Sequence, residues 1–346
     1  MVAAESPPIV LLGPQSTAPM LGRVFDHFGV TGAVAAITAG WQEREDEDQA
    51  LRRAAGGREV VNLRLHARAE EVFRADPELF EAHRAKQDML RQYQELYRQR
   101  LHHAMSAASH MQSLATASVY EHHGVPRRGE LVAAHLTGAI AAVRDLDDEH
   151  AGMVRDVERA FERSHRPAER AAVRRHRDEI SAAISGAAAV AVAGGHVAVL
   201  LNRIRLFDLA PVLADKLVIA WSAGAMVVCE RLVLFHDTPP QGRGYAEVLA
   251  NGLGLCTGVV ALPHARRRLL LDDGQRVSLL ARRFDPALCA TLDAGCALAR
   301  QPDGTWRASG STRCLYPDGT CSPLPGPSLD LAPAGDGDAR SKEVTP

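Results

Sequence analysis

Short unbroken apolar runs alternate with amphipathic segments at both ends of the chain, and a long region rich in Ala, Glu, Arg, Gln and His separates them. Pro8 to Leu12, Gly32 to Thr38 and Glu59 to Leu63 are such runs, with Met20 to Phe28 as a short helical pattern between the first two. Continuous apolar runs, rather than alternation, are what strands covered on both faces of a parallel sheet require. Residues 1–66 therefore predict the first half of an α/β domain, connected as βαβαβ. From 67 to 184 the spacing turns helical: Leu79, His83, Gln87, Leu90, Tyr93, Leu96 and Leu101 recur near helical period, and Asp76-Pro77-Glu78 forms a start signal. Further helices are expected from Arg128 to Leu146, Asp148 to Arg163 and Ala168 to Ile184, with Arg166-Pro167 as a break. This region reads as a helical insertion that serves as a lid or an oligomer contact. Residues 185–322 return to strand patterns, from Ala187 to Ala193, Lys216 to Trp221 and Gly258 to His264. Beyond them lies a β-rich extension. Leu269 to Leu271 and Val277 to Leu280 read as a hairpin or as a strand and helix start, and later strands turn at Pro302-Asp303-Gly304 and Pro317-Asp318-Gly319 to extend the sheet at one edge. Pro, Gly, Asp and Ser dominate 323–346, which predicts a disordered tail. The expected fold class is α/β and flavodoxin-like: a mostly parallel sheet with helices on both faces, a large helical insertion and a β-rich C-terminal extension.

One stretch concentrates chemistry. Lys216-Leu217-Val218-Ile219-Ala220-Trp221 runs into the small-residue corner Ser222-Ala223-Gly224-Ala225, and an apolar helical pattern leaves it. At a strand-to-helix elbow the corner side chain is pushed above the carboxyl edge of the sheet, and small neighbours are needed because strand and helix nearly touch. The following helix aims amide hydrogens and a positive dipole end at the same point, which favours a developing oxyanion. Ser222 is on this pattern either a nucleophile or an ordinary helix N-cap. Asp237 follows 15 residues later and His264 42 residues later, at the end of the apolar run Gly258 to His264. The order Ser, Asp, His is that of α/β-hydrolase triads. A histidine ending a strand is expected to emerge at the sheet edge that carries Ser222.

Trp221-Ser222-Ala223-Gly224-Ala225, an acid at this offset and Pro263-His264 closing a strand resemble the aspartyl dipeptidase and cyanophycinase family of serine peptidases, which have a class I glutamine amidotransferase-like fold. Ala193-Gly194-Gly195-His196 is similar to that family's Gly-rich turn before the nucleophile strand. The resemblance spans about 187–320 well and the first 65 residues more loosely. It implies Ser222 as nucleophile, His264 as general base, Asp237 as orienting acid, and the amides of Gly195 and Ala223 as the oxyanion hole. The chain departs from the family at Ala220, where a glycine is usual, and at His196, where Asn is usual; no residue matches the arginine that binds acidic side chains in the dipeptidases.

Other residues are candidates by position. The loop Thr38-Ala39-Gly40-Trp41-Gln42-Glu43-Arg44-Glu45 follows the second strand, so Trp41 is expected to wall the crevice outside the carboxyl ends of the strands. Glu43 and Glu45 also read as a solvated helix start, Glu45 more so. Gly194 lets backbone approach a ligand closely, and His196 is a pocket residue or a helix cap. In Arg266-Arg267-Arg268, two residues past His264, Arg266 is assigned to substrate carboxylate binding, with a solvated strand edge as the alternative. Asp145, Asp147, Asp148, Glu149 and His150 read as a solvated cluster at a helix junction. The paired histidines His102-His103 and His122-His123 point about 100° apart on a helix, so no metal is assigned.

Composition narrows the partners. A formal net charge of -2 gives no case for nucleic acid. The six cysteines form no CxxC pair and read as reduced thiols, no stretch resembles a signal peptide, and no apolar run is long enough for a bilayer, so the cytoplasm is expected. The expectation is a serine hydrolase that cleaves a small peptide or isopeptide bond without a cofactor, with a homo-oligomer possible through the insertion. The alternative is a non-catalytic binding or assembly protein that keeps the fold. A glutaminase is disfavoured because Cys229 lies seven residues past the corner.

Overall fold

The computed structural model describes residues 7–116, 127–235 and 244–331. Five parallel strands form the centre: β1 (Ile9–Leu12), β2 (Val34–Ile37), β3 (Val60–Asn62), β4 (Ala189–Val192) and β5 (Val218–Trp221). In space they run β1, β5, β4, β2, β3. Except for β3 they are buried at every position, as unbroken apolar runs predict for strands covered on both faces. The registers pair Leu12 with Trp221, Ala220 with Val192, and Val192 with Ile37, so four carboxyl ends finish at one level. The residues that follow these strands therefore share one edge.

Helices cover both faces. α1 (Leu21–His27) and α2 (Gln49–Ala54) carry Leu21, Val24, Phe25 and Leu51 into the smaller of two cores. α3 (Leu65–Ala75) contributes Leu65, Ala69 and Val72 to the larger. The insertion is dominated by two long helices packed against each other, α4 (Pro77–Thr116) and α5 (Arg127–His165), of 40 and 39 residues. The start signal at Asp76 operates as read: its carboxylate accepts from the Leu79 amide at 3.0 Å. Two helices meeting at the acidic cluster are not found. α5 runs straight through it, Asp147 and His150 are buried, and Asp147 pairs with an arginine 136 residues away instead of facing water. α6 (Ala171–Gly186) then returns the chain to β4, and α7 (Val197–Leu206) and α8 (Ala210–Ala214) lead to β5.

After β5 come α9 (Ala223–Val228) and the ribbon β6 (Arg231–Leu234) with β7 (Glu247–Asn251). β8 (Val259–Pro263), α10 (Ala265–Arg268), α11 (Gly274–Phe284) and β9 (Leu288–Leu292) follow. Of the two readings for 269–280, the helix prevails, because the Asp273 carboxylate caps α11 by accepting from Arg276 N at 3.2 Å. β10 (Ala297–Arg300) and β11 (Trp306–Ser309) extend the central sheet antiparallel at the β1 edge, as expected. β12 (Arg313–Leu315) and β13 (Cys321–Pro323) do not: with β8 and β9 they build a separate four-stranded sheet. The tail expectation also needs correction from 323 to 331. Leu329 and Leu331 are buried, and Leu329 N donates to Ala308 O at 2.8 Å, so apolar anchors hold this stretch along β11. Residues 332–346 and 236–243 lie outside the described residues. Among the described residues no helix is long and apolar enough to cross a membrane.

Candidate active site

β5 ends at Trp221, and the next residue turns the chain sharply into α9. Ser222 has φ 52° and ψ -120°, a conformation costly for a side chain with a Cβ and kept only where the surroundings over-determine it. Its amide donates to Leu12 O at 3.3 Å, which ties the corner to β1. A methyl on Gly224 would lie 2.2 Å from Val192 O, so only glycine lets α9 approach β4. The N-cap alternative fails on geometry: the Ser222 side chain makes no cap hydrogen bond and is partly exposed.

The Gly-rich turn after β4 sits directly beside the corner. A methyl on Gly194 would lie 2.8 Å from the Ser222 Cβ. Gly195, at φ 112°, interlocks with the loop after β2, and His196 N donates to Gly40 O at 2.7 Å. His196 turns out to be a cap: its Nδ1 accepts from Val199 N at 3.3 Å and opens α7.

A cleft of about 630 Å³ opens over this corner. Gly194, Gly195, Trp41, Ser222, Ala223 and His264 all line it. His264 arrives from the second sheet rather than the first. β8 pairs in parallel with β9, His264 N donates to Leu292 O at 3.1 Å, and a left-handed conformation at φ 58° starts α10. Four residues on, after one helical turn, Arg268 returns to the same face and also lines the cleft. Arg266, two residues from His264, points elsewhere. It is not among the cleft-lining residues, and its Nε lies 3.8 Å from the Asp293 carboxylate.

Asp237 lies outside the described residues. Asp293, in the turn after β9, is a residue that sequence reasoning passed over. Its carboxylate is mostly buried and accepts from Arg266 N at 3.1 Å, and its charge favours protonation of His264. No periodicity or motif marks it, since only the pairing of β8 with β9 brings it near. Burial, followed by the positive field of Arg268, holds the His264 pKa below its ordinary value of about 6.5, and Asp293 opposes them. With His264 as the proposed base, which must be neutral to act, the acid limb of kcat/KM is expected with its midpoint below that of a free histidine. Asp293→Asn removes the opposing charge and is expected to move the limb lower still, as a pH–rate profile will show. The stability contribution has the matching sign: it is present above about pH 6.5 and is lost as pH falls through the depressed folded value.

A strained corner serine and a histidine wall one cleft over the carboxyl ends of a parallel sheet, an arrangement that serine-type hydrolases use. Residues 141–304 match the model for peptidase family S51, which bears out the resemblance read from the elbow. The matched stretch, a little under half of the chain, contains Ser222 and His264, and the match supports a serine-type peptidase. No curated protein matches the chain. Among solved structures, a peptidase from an acI-B1 Actinobacterium is similar at 12% identity and a TM-score of 0.44, covering 90% of this chain and 92% of that one.

Proposed function

We propose that the protein hydrolyses a small peptide or isopeptide bond through an acyl-enzyme at Ser222. The supporting observation is that Ser222, strained and without a cap bond, shares its cleft with His264. The Ser222 hydroxyl attacks the carbonyl carbon as His264 takes its proton. The negative charge that develops on the carbonyl oxygen is met by the amides of Gly195 and Ala223, each donor worth about 3 kcal/mol in the transition state. His264 returns the proton to the leaving amine, and water repeats the sequence on the ester. Asp237, by its offset from Ser222, holds the imidazole tautomer. Asp293 is a second reading for this role, favoured by its field at His264.

Arg268 carries the substrate assignment that the sequence reading gave to Arg266. Among the described residues its guanidinium meets no carboxylate; it lies 5.9 Å from the centre of the Phe235 ring, partly buried, and burial lowers its pKa. A cation held this way binds a substrate carboxylate strongly. With dipeptides matched except for carboxylate against amide, Arg268→Gln is expected to raise KM for the acidic substrate by about 10- to 100-fold and to leave the amide substrate unchanged. An equal loss on both substrates would remove Arg268 from substrate recognition.

A further inference from the structure

One of the oxyanion amides proposed above, that of Gly195, sits on a turn that is held from outside the cleft, and the holding group is Glu45. The sequence places Glu45 on a solvated helix start, yet it is 2% exposed, whereas the neighbouring Glu43 side chain is 83% exposed. Glu45 turns inward because α3 lacks a cap of its own. The residue before α3, Arg64, is left-handed and makes no side-chain cap bond. Glu45 Oε2 accepts from Ala67 N at 2.9 Å. Asn62 Nδ2 donates to Glu45 O at 2.8 Å, and the Thr38 hydroxyl donates to Asn62 Oδ1 at 2.9 Å while lying 3.4 Å from Glu45 Oε1. Both ends of the loop from Thr38 to Glu45 are thus fastened to β3 and α3.

Between these ends the loop is strained. Gln42 has φ 59° and ψ -126°, nearly the conformation of Ser222 itself. Such a residue persists only where its neighbours leave no alternative. The strained segment is also the part that touches the site. Trp41 lines the cleft, Gly40 O accepts from His196 N, and a methyl on Gly195 would lie 2.2 Å from Gly40 O. Gly40 and the Gly194–Gly195 turn therefore cannot move independently.

We propose that Glu45 is a positioning residue for acyl transfer: by capping α3 it clamps the strained loop, and through Gly40 it fixes the Gly194–Gly195 backbone that faces Ser222. The inference rests on the serine-peptidase reading, so its test carries one measurement that needs no catalysis. Hydrogen exchange of the His196 amide reports the Gly40 contact directly, and the rate at which a fluorophosphonate labels Ser222 reports the oxyanion geometry. Glu45→Ala is expected to speed the exchange and to slow labelling by about 10- to 100-fold. Glu45→Gln keeps an oxygen acceptor for Ala67 N and is expected to restore most of both. Val143→Ala, a buried truncation within α5, is expected to lower the melting midpoint while leaving both readouts at wild-type values. Should Glu45→Ala fail to fold, Asn62→Ala releases the same loop from its carbonyl side and takes its place. Unchanged exchange and labelling in the folded variants would overturn the proposal, as would equal slowing in Val143→Ala. Faster exchange in a protein whose wild type is never labelled would instead overturn the serine reading, and leave the clamp with no reaction to serve.

Discussion

Ser222→Ala is expected to lower kcat for peptide hydrolysis by about 10⁴-fold or more while leaving the melting midpoint within about 2 °C of wild type. The two parts have separate physical grounds. In the proposed mechanism no acyl-enzyme forms without the hydroxyl, and what remains is binding and the proposed oxyanion amides of Gly195 and Ala223, which alone accelerate the reaction only modestly. Stability is spared because the Ser222 side chain makes no cap hydrogen bond and alanine keeps the same Cβ at φ 52°. The strain of the corner is a property of the backbone, enforced by β1 through Leu12 and by β4 through the contact with Gly224. Steady-state kinetics and thermal unfolding on the same preparation check both halves.

Asp147→Ala is expected to act in the opposite way, destabilising the fold by about 3–5 kcal/mol and lowering the melting midpoint by about 4–7 °C. Arg283, on α11, is 1% exposed, and Asp147, on α5, is fully buried. Their forked pair has two bonds of 2.7 Å, and Tyr97 from α4 joins it, donating to Asp147 Oδ1 at 2.8 Å and accepting from Arg283 Nη2 at 2.9 Å. Val248 N, on β7, donates to the same phenol oxygen at 3.1 Å. Burial alone would lower the Arg283 pKa, but Asp147 reverses it and the guanidinium stays charged. Removing the carboxylate strands that charge in the interior, which is the costly outcome; replacing both members by apolar residues is not. The double variant Asp147→Leu, Arg283→Met is therefore expected to melt above the single variant. Calorimetry of the three proteins decides this.

The contrast between these two sites explains what could be read from the chain. The central strands were legible because a strand buried on both faces has to be apolar throughout, and Ile9–Leu12, Val34–Ile37 and Val218–Trp221 have no other reading. Ser222 was legible because an elbow needs small residues at fixed offsets. Asp147 was misread because an acidic cluster looks the same whether it meets water or an arginine 136 residues further on. Glu45 was misread for a related reason: the partner that buries it is the uncapped start of α3, which no local pattern announces. For the three arginines after His264 the sequence offers either a carboxylate-binding Arg266 or a solvated strand edge. One turn of helix forms instead, and its period selects Arg268 for the cleft.

The central claim is an activated serine at residue 222, and the most direct measurement is intact-mass and peptide mapping after treatment with a fluorophosphonate probe. The account predicts one adduct per chain, located on Ser222, absent from Ser222→Ala and lost or strongly slowed in His264→Ala. A folded wild-type protein that acquires no adduct, or acquires it on another residue, would contradict it.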